Sequence, residues 1–218
     1  MGDDGPDVAE QLREALRFLA HAAREGHSST LALLELHGVE PMAASELVQR
    51  IERNARRSLA RIDDFVVFAR ARSQPLKAEE LDLLDLLFDA VAEAWNDGNE
   101  RDVRLKVVDA PDEALLQGDR SLLRPAVASL LQHALERVRR GSELACTVRE
   151  TPQAWSLEVD EVPASAAATV PGAVPPPAAE SEHGWALVEL VAQRMGGAVN
   201  QWDEPGLGVR LRVTLPRA

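Results

Sequence analysis

Apolar residues recur every three or four positions over residues 7–37 and again over 43–72, the spacing of amphipathic helices. The first stripe runs through Val8, Leu12, Leu16, Leu19, Ala23, Leu31 and Leu34. It is weakest at Gly26, beside Ser28 and Ser29, where the glycine alone lowers helix propensity by about 1 kcal/mol. Gly38 is placed to cap the helix, and Pro41 lies in the short loop that follows. The second stripe is Leu47, Ile51, Ala55, Leu59, Ile62, Val66 and Ala69. Arg50, Arg53, Arg56, Arg57, Arg61, Asp63 and Asp64 fall on its opposite face. Helices of about 30 residues, at about 1.5 Å per residue, are about 45 Å long. The short loop folds them into an antiparallel hairpin. A lone hairpin cannot bury both stripes, so the pattern predicts a homodimer joined as a four-helix bundle.

A polar connector with Pro75 occupies residues 73–80, and beyond it the hydrophobic period alternates between helix and strand. The spacing predicts a helix over 81–95, strands over 103–108 and 114–118, and an apolar helix over 121–139. A strand hairpin follows over 143–150 and 155–160. A helix over 184–195 is stopped by Gly196 and Gly197. Strands over 198–201 and 209–215 flank a turn at Glu204-Pro205-Gly206. Residues 161–183 are of low complexity and include Pro175-Pro176-Pro177, so they read as a long lid-like loop. The predicted class is α+β: a helical hairpin over 1–72, a linker over 73–80, and an α/β sandwich over 81–218.

Composition narrows the partners. The 218 residues carry 24 Lys and Arg against 36 Asp and Glu, a net charge of -12. Such a chain is a poor match for nucleic acid or for an anionic membrane surface. No apolar run approaches the ~20 residues of a membrane span. The start, from Met1 to Asp7, is acidic and lacks the basic and apolar stretches of a signal peptide. The single cysteine, Cys146, suits a reducing cytoplasm and a buried strand position. The expectation is a soluble cytoplasmic protein.

Candidate chemistry sits in a few short segments. The first is Phe18-Leu19-Ala20-His21-Ala22-Ala23-Arg24-Glu25-Gly26-His27-Ser28. The second is Ser129-Leu130-Leu131-Gln132-His133-Ala134. The third is Asp160-Glu161-Val162-Pro163-Ala164, followed later by Glu182-His183-Gly184-Trp185-Ala186-Leu187. Their order, and that of the elements around them, resembles the sensor histidine kinases of two-component signalling over residues 8–216. It is similar to a dimerising histidine-phosphotransfer bundle followed by a GHKL-type ATP-binding domain.

The resemblance implies that His21 is the phosphoacceptor, with Arg24 kept and Glu25 in a polar position of the same motif. Ala22 stands where the family has an acid that orients the imidazole, and loss of such a base typically costs about 10²–10⁴-fold in rate. Gly26 replaces a helix-kinking proline. Ser129 and His133 stand for the two asparagines that hold magnesium and phosphate in the family. Asp160 stands for the adenine-reading aspartate, and Val162 and Ala164 replace its two glycines. Of the later glycine motif only Gly184 is kept, with Glu182 and Trp185 beside it.

These replacements predict a remnant nucleotide pocket at His133, Asp160 and Gly184 and no bound cofactor. ATP and magnesium are expected only if the chain is a divergent active kinase. No metal site is expected, since His21 and His27 are six apart rather than four. The reading is a degenerate histidine kinase acting as a histidine phosphotransferase, relaying phosphate through His21 to receiver aspartates. Its expected partners are a second copy and a response-regulator receiver or a partner kinase. The alternatives are a non-catalytic pseudokinase regulator and an active kinase of divergent type.

Overall fold

The computed structural model describes residues 28, 30–34, 44–162, 182–204 and 208–217. The chain divides after Ser73 into two compact units.

In the first unit, residues 28 and 30–34 are helical, and helix α1 spans Ala44–Ser73. Glu46 in its first turn and Arg70 and Arg72 in its last complement the helix dipole. Glu52 and Arg56 pair one turn apart, with Nη2 at 2.6 Å from Oε1. Leu33, Phe68 and Ala71 are buried, whereas Leu31, Leu34, Val48, Leu59 and Val66 are exposed. The expected loop and most of the expected first helix, including the turn at Pro41, lie outside the described residues.

The second unit runs β1 (Glu79–Asp82), α2 (Leu83–Glu100), β2 (Arg104–Asp109), β3 (Leu115–Gly118), α3 (Arg120–Arg137), β4 (Glu143–Glu150), β5 (Ala154–Val162), α4 (Glu182–Arg194), β6 (Ala198–Glu204) and β7 (Gly208–Pro216). The sheet order is β2-β4-β5-β7-β6, with β2 parallel to β4 and the other neighbours antiparallel. A separate two-stranded ribbon joins β1 to β3.

Strand β1 has no counterpart in the hydrophobic pattern, which places helix from residue 81. Asp82 explains the difference. Its carboxylate accepts from Leu84 N at 2.9 Å, as an N-cap, and from Ala114 N at 3.0 Å. The helix can start only after this residue, and the residues before it are drawn into pairing with β3. Asp119 does the same for α3, accepting from Ser121 N at 3.0 Å and from Lys77 N at 3.0 Å. Pro125 lies inside α3 without ending it. The remaining elements match their expected positions within a few residues, except that β5 runs two residues past Asp160. Glu161 and Val162 therefore belong to the sheet and not to the predicted loop; 163–181 lie outside the described residues.

The three helices cover one face of the sheet, with α3 in the middle. Leu123, Ala126, Val127 and Leu130 of α3 meet Val188, Val191 and Ala192 of α4 above Leu157, Val213 and Leu215. This explains why ten of the 18 residues of α3 are buried: it has neighbours on both sides as well as beneath. Gly197 makes the close α4–β6 turn possible, since a Cβ there would lie 2.0 Å from Thr214 O. Cys146 is fully buried in β4, as the sequence predicts, and burial, then the charge of Asp160, pushes its thiol up to about 12. Among the described residues no helix is long and apolar enough to cross a membrane.

Candidate functional site

Helix α3 carries Ser129 and His133 one turn apart, and both side chains are buried. Gln201 reaches His133 from β6. It pairs in register with Leu211, a core residue of β7, and so shares the helix-facing side of the sheet. His133 Nε2 lies 3.0 Å from Gln201 Oε1. An amide oxygen only accepts, so this contact assigns the proton to Nε2. Trp185, on the first turns of α4, closes the other side. Its ring stacks on His133 with centroids 5.2 Å apart and planes inclined by 27°. Gly184 lies next to Trp185 within that helix.

The imidazole is thus held by a hydrogen bond and covered by an indole. Magnesium prefers oxygen ligands and keeps several of its waters. An imidazole offers it no oxygen. Among the described residues no cluster of three or more His, Cys, Asp or Glu could hold a metal ion. His133 does not fit the magnesium that the resemblance implies for its position.

The structure separates Asp160 from His133. Along β5, Leu157 and Val159 face the helices, so Asp160 points to the other face of the sheet. There it sits opposite Arg210 of β7, whose Nε donates to Oδ1 at 2.5 Å. The carboxylate on the helix side is Glu161, which the sequence reading did not select. The signal was present: alternation carried two residues further puts Leu157, Val159 and Glu161 on one face.

Glu161 is fully engaged by the protein. Its Oε1 accepts from Ser142 Oγ at 2.9 Å and Arg139 N at 3.2 Å, and its Oε2 accepts from Val209 N at 3.1 Å. The Arg139 guanidinium lies 4.0 Å from Oε1. Gly208 packs directly against it at φ +87, and a Cβ there would come within 2.2 Å of Oε2. A carboxylate with these partners fastens the ends of β5 and β7 to the segment after α3. It has little capacity left for an adenine amino group.

His133, Trp185 and Gln201 are therefore brought together, with Gly184 the chain neighbour of Trp185, while Asp160 stands on the other face of the sheet. His21, Arg24 and Glu25 lie outside the described residues, as do the side chains of Glu182 and His183. Trp185 belongs to a segment the sequence singles out, but Gln201 carried no motif of its own; only the pairing of β6 with β7 places it here.

No protein-family model and no curated protein matches the chain. Solved structures do. The chain is similar to the histidine kinase AdeS of Acinetobacter baumannii, at 12% identity and a TM-score of 0.63, covering 90% of this chain and 97% of that one. It is similar to a histidine kinase from Burkholderia phymatum STM815, at 18% identity and a TM-score of 0.55, covering 92% and 98%. The histidine kinase ThkA, in a complex with the response regulator TrrA, matches at 14% identity and a TM-score of 0.65, covering 98% of this chain and 64% of that one. The fold is that of the sensor histidine kinases of two-component signalling.

Proposed function

We propose that this chain, built on the sensor histidine kinase fold, is a dimeric phosphorelay protein that passes a phosphoryl group through His21 without drawing it from ATP. The observation that carries this reading is the stacking of Trp185 on His133, a residue that the resemblance implies for the nucleotide pocket. An indole lying against that position supports transfer over autophosphorylation. The absence of an acid at Ala22 supports the same reading, since autophosphorylation depends on that base more than relay does.

In the relay, a neutral nitrogen of His21 attacks the phosphorus of a receiver's aspartyl phosphate. The N–P bond forms as the O–P bond breaks, and the aspartate leaves as a carboxylate. The reverse step hands the group to a second receiver. The similar ThkA structure contains a response regulator, which fits a receiver as the partner of this fold. Exposed Val48, Leu59 and Val66 on α1 supply an apolar face for a second copy.

The test is transfer of labelled phosphate from a phosphorylated receiver to the full chain. The expected result is labelling of the wild type and none of His21→Ala. Labelling that survives in His21→Ala overturns the assignment. Receiver binding with no labelling of either protein favours the non-catalytic regulator instead.

A further inference from the structure

Residues 72–80 are exposed except for half-buried Leu76, so little apolar burial holds the segment that follows α1. Two hydrogen bonds hold it instead. Lys77 N donates to Asp119 Oδ2 at 3.0 Å, and Arg194 Nη1 donates to Gln74 O at 2.8 Å. Asp119 is buried at the start of α3, where its Oδ1 accepts from Ser121 N at 3.0 Å and from Ser121 Oγ at 2.6 Å. Arg194 lies in the last turn of α4. The chain is therefore gripped between the end of α1 at Ser73 and the start of β1 at Glu79.

Both grips stand at one end of the α3–α4 pair. Gln74 and Lys77 are so near in the chain that at most about 11 Å of backbone joins the points they hold. The start of α3 and the end of α4 are thus neighbours. At the other end Trp185, near the start of α4, stacks on His133, near the end of α3. The two helices run antiparallel, and Val188, Val191 and Ala192 in the middle of α4 pack on α3. From Trp185 to Arg194 the helix is about 14 Å long. A close-packed helix shifts as a stiff body. A movement that takes Trp185 off His133 therefore also moves Arg194 away from Gln74.

We infer that residues 74–77 form a clasp that the seating of α4 closes and that opens when Trp185 leaves His133. Closed, the clasp holds the chain from the first residue after α1. Open, residues 74–78 become a free joint between the two units. Asp119 gives the firmer grip, because its bond to Lys77 is partly buried. The bond from Arg194 is exposed to water and breaks first. The inference concerns the linker alone and does not depend on transfer through His21.

The chain has two lysines, Lys77 in the clasp and Lys106 in β2, so a lysine-specific protease acting on the full chain reads both places. Unfolding exposes both lysines alike, and the excess of the Lys77 rate over the Lys106 rate measures the open clasp. The parent is expected to be cut after Lys77 about tenfold or more slowly than a free peptide of residues 70–84. Arg194→Ala and Trp185→Ala are each expected to raise the excess rate about threefold or more. Asp119→Ser leaves a cap for α3 but no second oxygen for Lys77, and is expected to raise it about tenfold. If Asp119→Ser does not fold, Arg194→Ala carries the test of the grip. Cutting of the parent after Lys77 at the rate of the free peptide overturns the proposal. So does an excess rate that Arg194→Ala or Trp185→Ala leaves unchanged.

Discussion

His133 stacks on Trp185 at 5.2 Å between ring centroids, and its Nε2 is held by Gln201 at 3.0 Å. Three elements, α3, α4 and β6, are tied together at this point. The contact involves His133, which the resemblance implies for the nucleotide pocket. Titration of the full chain with millimolar ATP and magnesium is expected to give no heat of binding by calorimetry. Trp185→Ala removes a stacking partner, and is expected to lower unfolding stability by about 2 kcal/mol in urea. A wild-type binding isotherm for ATP would sink the reading of transfer without ATP.

Glu161 and Gly208 form a second lock. Glu161→Ala strands the amides of Arg139 and Val209 and the hydroxyl of Ser142, and is expected to cost about 3 kcal/mol. Gly208→Ala introduces a Cβ into space held by the Glu161 carboxylate, at a positive φ that L-residues avoid. The double variant is expected to cost less than the sum of the two, because removing the carboxylate relieves the clash. Urea unfolding of all four proteins gives the coupling, expected between about 0.5 and 3 kcal/mol. Strict additivity would contradict the contact.

The Cys146 thiol gives a pH prediction. Its folded pKa is raised from 9.0 to about 12, by burial first and by Asp160 second. Below pH 9 the thiol is protonated in both states and contributes nothing to the slope. Between about 9 and 12 the unfolded chain loses the proton while the native protein keeps it. Stability therefore falls as pH rises, by up to about 1.4 kcal/mol per pH unit from this group. Denaturation curves for the wild type and Cys146→Ala at pH 8 and pH 10 check the slope, which should be shallower in the variant. Ellman's reagent should react slowly with the native thiol at pH 8 and rapidly in urea.

The exposed apolar residues of α1 give a test of assembly. Leu59 is 61% exposed, and Val66 follows it seven residues later along the helix. Leu59→Glu is expected to shift sedimentation velocity from a dimer towards a monomer at micromolar protein. A wild-type chain that sediments as a monomer at every concentration would remove the four-helix bundle from the account.

The hydrophobic period by itself placed most of the described elements. Helix α1 matches the stripe from Leu47 to Ala69, and helices α3 and α4 and most sheet strands fall within a few residues of expectation. Local chemistry explains that success, because apolar spacing, glycine stops and proline breaks act within a few residues of where they are read. The order of those elements also carried the resemblance to histidine kinases, and the fold agrees with it.

Tertiary structure alone decided which side chains meet. Strand β1 exists because Asp82 reaches Ala114, 32 residues away. Glu161 faces the helices, and Asp160 does not, because β5 continues its pleat two residues past the expected end. Gln201 reaches His133 across 68 residues of chain, and Trp185 reaches it from a different helix. A motif read along the sequence names the residue that should occupy a position. Strand alternation and sheet pairing determine which face it points to. Those are set by contacts between distant segments, so the cluster of His133, Trp185 and Gln201 became visible only once the strands were paired.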